Sequence, residues 1–243
     1  ATADERLLER LLLAGAGALQ TLAFVHTRLW WLPILGAALL AWRLDRSRGL
    51  RHAATLGWCY GTGWMGAGIW WLFISMHRYG HLPAWLAASA VALLVALLAL
   101  FLALATALYR RWRRGGWGDA PLFAALWLAA ELARGLLLTG FPWVASGYAL
   151  PDSPLAVLAP WVGVYGMGFV LALLAGAVAQ AGAARGSARG VGPAVAVAAL
   201  VACTLLGTGE FTTAGRTLNV ELLQTNVPQD EKFDAQRLPA RLQ

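Results

Sequence analysis

Long apolar runs alternate with short polar segments over most of this chain. A helix needs roughly 20 apolar residues to cross the hydrocarbon core of a bilayer, and runs of about that length recur as far as residue 207. They predict a polytopic all-α bundle of about seven membrane-spanning helices. The predicted spans are residues 7–25, 29–44, 54–75, 84–108, 120–139, 155–181 and 191–207.

The pattern changes after Gly209. Within residues 217–225, the apolar Leu218, Val220 and Leu222 alternate with polar positions, which is the period of a half-buried β-strand. A single strand is not stable alone, so we expect it to pair with strands outside this sequence. The predicted organisation is a transmembrane helical domain over 1–209 and the truncated start of a soluble domain over 210–243.

Composition supports a membrane protein. Hydrophobic residues make up 59% of the chain and charged residues 13%, about half the charge of an ordinary globular domain. The net charge of +7 would suit a nucleic-acid partner only if the basic residues formed one face. They instead form short clusters between apolar runs, so we predict membrane lipid and no nucleic acid as partner.

The basic residues also predict an orientation. Twelve arginines fall on one side of the predicted spans and three on the other. The twelve are Arg6, Arg10, Arg43, Arg46, Arg48, Arg51, Arg110, Arg111, Arg113, Arg114, Arg185 and Arg189, and the three are Arg28, Arg78 and Arg134. Because basic loops stay in the cytoplasm, we expect a cytoplasmic N-terminus and, after an odd number of spans, a C-terminal segment on the other side.

One glycine-rich motif indicates helix packing and not nucleotide binding. Residues 61–66 match the dinucleotide fingerprint GxGxxG, but they lie in an apolar span without the strand and acidic residue that the fingerprint needs. We interpret Gly57, Gly61 and Gly68 as a stripe that lets a neighbouring helix approach.

Cys59 and Cys203 lie in different apolar runs without metal-ligand spacing, so we predict buried thiols, no disulfide, no metal and no cofactor.

Charged and aromatic residues mark the other end of the bundle. Glu131 and Arg134 share a helix face at i, i+3, and they serve either local neutralisation or substrate contact, since charges within spans are usually paired or functional. The turn at 139–143, with Phe141, Trp143 and then Tyr148, predicts a shaped loop at the interface. His77 lies in the loop after the third span and is either an interfacial anchor or a contact for a phospholipid headgroup.

Four segments carry a resemblance to a known family. They are Glu131-Leu-Ala-Arg-Gly135, Thr139-Gly-Phe-Pro-Trp143, Gly163-Val-Tyr-Gly-Met-Gly-Phe169 and Leu223-Gln-Thr-Asn-Val-Pro-Gln-Asp230. In this order, and on matching topology, the chain resembles the apolipoprotein N-acyltransferases of bacterial inner membranes. Phe233 stands where the family often has Trp and keeps an aromatic ring there.

The resemblance implies a fold and an activity. The expected fold is a helical membrane bundle followed by the first strand of a periplasmic nitrilase-like α/β domain. The implied reaction moves an acyl chain from a phospholipid to the N-terminal diacylglyceryl-cysteine of an apolipoprotein, through a thioester on a Cys that works with a Glu and a Lys. We expect that triad beyond Gln243, and we expect this chain to be an inactive fragment by itself.

The same resemblance motivates a hypothesis for the site. We expect a lateral lipid entrance near the outer leaflet. The candidate residues are Trp143, Phe141, Tyr148, Arg134, Glu131, His77 and Phe233.

Two other classes of function stay open at this point. A transporter usually shows internal repeats and ionisable groups at mid-membrane, and neither is evident here. A non-catalytic membrane scaffold is the remaining alternative, since these 243 residues offer no convincing catalytic set.

Overall fold

The computed structural model describes residues 3–116, 118–183, 198, 201, 213 and 215–222. The α-helices are α1 (Ala3–Leu19), α2 (Leu22–Val25), α3 (Trp31–Asp45), α4 (Leu50–Ile69), α5 (Trp71–Ile74), α6 (Ala84–Trp112), α7 (Asp119–Leu136) and α8 (Ala159–Ala183). Short 3-10 turns cover Thr27–Leu29, Ser146–Ala149 and Pro154–Leu158, and a π-helical turn covers Ser75–Tyr79.

Each of the first six predicted spans coincides with a helix, and the fold is all-helical over the described residues. Three of the described segments are long and apolar enough to cross a membrane, namely Ala3–Val25, Ala84–Trp112 and Pro154–Gly182. By contrast α3 has 15 residues, and α7 carries three charged side chains, so their spanning stays a prediction. The seventh predicted span falls almost entirely outside the described residues; residues 198 and 201 are helical.

Two sequence predictions need correction or refinement. Residues 215–222 form no strand, and Leu218, Val220 and Leu222 are exposed. A β-strand exists only against a hydrogen-bonded neighbour, and the described part of the chain supplies none. The helix predicted over 155–181 is interrupted at Gly163, where φ is 63° and ψ is −176°, a conformation essentially limited to glycine.

Helix α4 lies at the centre of the bundle because its glycines admit two neighbours. Gly57 and Gly61 lie against Thr106 and Ala99 of α6, as predicted for the glycine stripe, whereas its third member, Gly68, lies against the side chain of Val144 and not against a helix. On the other face, Gly63 lies against the backbone of Ala14 in α1. A side chain at either contact would push two helix backbones apart.

We therefore expect Gly63→Ala to destabilise the bundle by about 1–3 kcal/mol, the usual effect of overpacking. A Cβ at residue 63 would overlap the carbonyl of Ala14. Gly66→Ala is the matched control on the same helix, because the nearest atom to its added Cβ is 3.9 Å away. Thermal unfolding in detergent measures both. Equal melting temperatures for the two variants would contradict the close α1–α4 contact.

Aromatic side chains fill the space between α4, α6 and α7. Trp127 is 1% exposed. Its ring lies 5.4 Å from that of Trp64, 6.1 Å from that of Tyr60 and 5.8 Å from that of Phe123. Such a cluster fixes the rotation of α7 about its axis, and so decides which α7 residues face inward.

The basic segments meet at one end of the bundle. Arg113 donates to the carbonyl of Asp45 at 2.6 Å, and Arg110 donates to the carbonyl of Ser47 at 3.2 Å. The end of α6 therefore contacts the turn between α3 and α4, and their arginines share one end, as the positive-inside pattern predicts. We refer to it as the basic end, and to the opposite end as the loop end.

Candidate functional site

Three inward-facing side chains of α7 define the candidate site. Trp127, Glu131 and Arg134 follow each other at helical spacing and are 1%, 3% and 4% exposed. The Arg134 Nη2–Glu131 Oε1 distance is 3.8 Å, an ion pair too long for a hydrogen bond. Charges this deeply buried must find partners elsewhere, and both find them in the segment after α7.

Glu131 binds residue 146. Its Oε1 accepts from the backbone N–H of Ser146 at 2.7 Å, and its Oε2 accepts from the Ser146 hydroxyl at 3.1 Å. The indole N–H of Trp127 donates to the same hydroxyl at 3.2 Å. Gly168 of α8 lies beside this group, where a Cβ would come within 2.5 Å of Glu131 and 2.6 Å of the Ser146 hydroxyl. The carboxylate is thus enclosed, with hydrogen bonds on both oxygens.

Arg134 binds the segment just before residue 146. Its Nη1 donates to the carbonyl of Phe141 at 3.0 Å and to the carbonyl of Trp143 at 2.6 Å. The backbone N–H of Phe141 in turn donates to the carbonyl of Arg134 at 2.7 Å. Glu131 and Arg134 therefore fix both halves of residues 137–146, which we call the capture loop.

The capture loop is held in an unusual backbone conformation. Leu138, Thr139 and Gly140 have φ values of 52°, 71° and 82°, and Val144 has 53°. Positive φ is uncommon for residues with a side chain and an outlier for a β-branched one. Such strain persists only where the surroundings over-determine it, and it tends to occur at functional sites. The buried hydrogen bonds of Glu131 and Arg134 provide that constraint.

The capture loop presents aromatic rings on the surface. Trp143 is 55% exposed, and Tyr148 just after the loop is 56% exposed. The Trp143 ring lies 5.3 Å from that of Trp71 in α5, whereas Phe141 is half-buried and packs against the core. The result is an exposed aromatic ledge, formed by Trp71 and Trp143, above a buried polar support, with the exposed Tyr148 following the loop in the chain.

Not every predicted site residue belongs to this ledge. His77 is exposed, and its contacts hold it to its own turn: its ring stacks on Phe73 at 5.5 Å, and Nδ1 donates to the carbonyl of Leu82 at 2.7 Å. Phe233 lies outside the described residues. Glu131 and Arg134 lie behind the loop, and any contact they make with a substrate stays a prediction.

Sequence reasoning missed Ser146, Trp64 and Trp71. No signal in the sequence marks Ser146, because its role comes from a contact with Glu131, 15 residues earlier. Trp64 offered a signal in the spacing of tryptophans along 58–71. Its Nε1 and the Nη2 of Arg134 have no hydrogen-bond partner within the described part of the chain.

Trp64 and Arg134 both line a narrow cavity between α4, α6 and α7, of about 20 Å³. That is room for about one water molecule. Among the described residues, no group of three or more His, Cys, Asp or Glu side chains could hold a metal. Cys59 is a free, buried thiol, as predicted, and Cys203 lies outside the described residues.

The sequence is similar to known proteins over most of its length. Residues 16–177 match the family model described as the apolipoprotein N-acyltransferase N-terminal domain. A protein of Ralstonia nicotianae named apolipoprotein N-acyltransferase is 47% identical over 227 residues, which cover 91% of this chain and 43% of that protein. Proteins of the same name from Verminephrobacter eiseniae and Pseudomonas putida are 46% and 40% identical, over 84% and 96% of this chain and 41% and 47% of those proteins. The chain thus spans less than half the length of these relatives.

Proposed function

The chain belongs to the apolipoprotein N-acyltransferase family, and from this membership we propose that it forms the membrane portion of such an enzyme. The reaction is transfer of an acyl chain from a phospholipid to the α-amino group of the diacylglyceryl-modified N-terminal cysteine of an apolipoprotein. The observation that carries the proposal is the family match over residues 16–177. A transporter or a non-catalytic scaffold finds no support in these relatives.

The chemistry we propose is a two-step transfer through a thioester. A cysteine thiolate attacks the ester carbonyl of the phospholipid, the ester C–O bond breaks, and the lysophospholipid leaves with a proton. The amine of the apolipoprotein then attacks the thioester, the C–S bond breaks, and the amine nitrogen loses its proton as the thiolate is restored. Covalent catalysis of this kind divides one difficult step into two easier ones.

We assign the Glu, Lys and Cys of this chemistry to the part of the relatives that the chain does not span. Cys59 is unsuited to the role, since it is 9% exposed on the glycine-rich α4 and an apolar environment disfavours the thiolate. We therefore do not assign the nucleophile to Cys59, the cysteine that lies within the described residues.

The membrane portion would hold the phospholipid donor at the loop end, on the outer side of a bacterial inner membrane. The exposed rings of Trp143 and Tyr148 suit the boundary between headgroups and acyl chains. We propose Phe141 and His77 as further contacts for the donor. Glu131 and Arg134 serve by holding the capture loop in the conformation that exposes Trp143. The basic end would face the cytoplasm.

A chimera tests this function. Residues 1–243 replace the matching segment of the Ralstonia nicotianae relative, and the purified chimera receives an alkyne-tagged phospholipid and a diacylglyceryl-cysteine peptide. We expect N-acylated peptide by mass spectrometry at a rate within about tenfold of the parent, because the two sequences are 47% identical over 227 residues and hydrophobic substitutions that keep volume and pattern are tolerated. The 243-residue chain by itself should give no product.

The control is a chimera carrying a cysteine-to-alanine change at the nucleophile of the relative's own segment, which should be inert. A folded chimera that binds phospholipid but transfers nothing, beside an active parent, would contradict the proposed function of this membrane portion. Product from the 243-residue chain by itself would contradict the assignment of the chemistry elsewhere.

A further inference from the structure

A second site lies at the basic end of the bundle. The first turns of α1, the end of α3 and the start of α4 surround a cleft of about 460 Å³, a volume in the range of small-ligand sites. Its charged lining consists of Arg6, Glu9, Arg10, Arg43, Arg46, Arg48, Arg51 and His52. Six arginines thus converge on one space with one carboxylate, and we call this space the basic cleft.

The one carboxylate of this lining, Glu9, already has two partners. Glu9 Oε1 pairs with Arg43 Nη2 at 2.8 Å, and Glu9 Oε2 lies 3.2 Å from His52 Nε2. His52 Nδ1 accepts from the backbone N–H of Arg48 at 3.2 Å, so its Nε2–H is the donor to Glu9. Glu9 therefore neutralises Arg43 and orients His52, and its hydrogen bonds and ion pairs within the described residues include none of the other five arginines.

Most of the remaining cations lack a counter-charge. Across the described residues, no carboxylate forms an ion pair with Arg6, Arg10, Arg48 or Arg51. Arg46 is positioned over the ring of Trp42, 3.9 Å from its centroid, and donates to the Trp42 carbonyl at 3.1 Å. An arginine oriented by stacking, among others that repel each other, favours an anion with several acceptor oxygens.

The positive-inside rule by itself does not require this arrangement. That rule counts basic residues near the ends of helices, and it is satisfied equally by side chains outside the cleft, such as Arg111 in the last turn of α6 and Arg114 just after it. Gathering six guanidinium groups around one cavity adds repulsion that dispersed positions avoid. A bound anion removes that repulsion.

The neighbouring surface indicates that this anion is attached to acyl chains. Leu7, Leu8, Leu11 and Leu12 of α1 are 56–60% exposed, directly beside Arg6 and Arg10 in the sequence. A phosphate seated between the arginines would leave its acyl chains along this apolar face. Basic pockets between membrane helices on the cytoplasmic side are suited to anionic lipid headgroups.

We propose that the basic cleft binds the phosphate headgroup of an anionic phospholipid. The site is separate from the capture loop, because α4 begins at the cleft and runs 20 residues towards the loop end, about 30 Å at 1.5 Å per residue. The proposal does not depend on the acyltransferase function. It assigns to this end of the bundle a lipid site that the transfer reaction does not use.

Native mass spectrometry of the purified protein, with added cardiolipin, measures the binding. The test variant is Arg10→Gln/Arg51→Gln, and the matched control is Arg111→Gln/Arg114→Gln, which removes the same charge from the same end outside the cleft. At about 1 kcal/mol for each direct hydrogen bond to the headgroup that is lost, we expect about thirtyfold weaker cardiolipin binding for the first pair. We expect less than about threefold for the control.

Two results would overturn the proposal. Equal losses for both pairs would mean that cardiolipin senses only the net charge of the basic end. Inorganic pyrophosphate that competes as well as cardiolipin at equal concentration would mean that the cleft takes a free phosphate and not a lipid. Arg6→Gln/Arg48→Gln repeats the test with an independent pair, and an unchanged melting temperature verifies that each variant is folded.

Discussion

Replacing Glu131 by leucine should destabilise the protein by about 3–5 kcal/mol, the usual result of leaving one member of a buried ion pair without its partner. The change removes the carboxylate nearest to a guanidinium that is 4% exposed. It also leaves the backbone N–H and the hydroxyl of Ser146 without their acceptors. An unpaired buried donor costs about 1–3 kcal/mol, so the two effects act in the same direction.

The measurement is unfolding in mixed micelles, combined with chymotrypsin cleavage after Trp143, because the proline after Phe141 makes that bond resistant to this protease. If Glu131 holds the capture loop, Glu131→Leu should accelerate that cleavage before the bundle unfolds. Glu131→Gln keeps one acceptor and the shape of the side chain, and should lie between leucine and the parent. The double change Glu131→Leu/Arg134→Leu should recover part of the loss, because no uncompensated charge remains.

The chain contains its own control in Glu9, which pairs with Arg43 at 2.8 Å but at a partly exposed position. Glu9→Leu should cost some stability, because it removes the one carboxylate that lines the basic cleft, but less than Glu131→Leu, because the Arg43 side chain is 30% exposed and solvent screens the pair. A Glu131→Leu protein that unfolds like Glu9→Leu, with the capture loop still protected, would show that the buried pair does not support the loop.

The helical fold was largely predictable because apolar length is a local property of the sequence. Each run of apolar residues from α1 to α8 predicts its own helix without reference to its neighbours, and the glycines of α4 predict close contacts. Two features are not local in this sense. The strand predicted over 217–225 needs a second strand beside it and is not shown over the described residues, and the break at Gly163 is one of several conformations that a glycine permits.

The candidate site was predictable only in part, for the same reason. Two opposite charges at i, i+3 predict the Glu131–Arg134 pair, and the Gly-Phe-Pro-Trp turn predicts a shaped loop. Nothing in the sequence joins these two features. The hydrogen bonds from Arg134 to the carbonyls of Phe141 and Trp143 use backbone atoms, which every residue has, so no residue type marks them. The positive φ of Val144 opposes its intrinsic preference, and only the tertiary structure imposes it.

The second expected result concerns Trp143. In the full-length enzyme, Trp143→Ala should lower acyl transfer by at least about thirtyfold, which corresponds to about 2 kcal/mol for a central aromatic contact. Folded yield should change far less, because the ring is 55% exposed and its pairing with Trp71 contributes about 0.5–1.5 kcal/mol. Because the ledge would bind the phospholipid donor, we expect the loss mainly as a raised KM for that donor.

Trp85→Ala provides the matched comparison, since Trp85 begins α6 at the loop end and is 71% exposed, but lies outside the capture loop. Generic anchoring of aromatic rings at the interface would make the two tryptophans equivalent, and both variants would then lose transfer to the same small extent. If the ledge binds the phospholipid donor specifically, Trp143→Ala should lose far more acyl transfer than Trp85→Ala. Trp143→Phe should then restore much of the activity, because it retains apolar area on the same backbone. If transfer and folded yield instead fall by the same factor in Trp143→Ala, the ring is a packing residue, and the capture loop stabilises the bundle without contacting the donor.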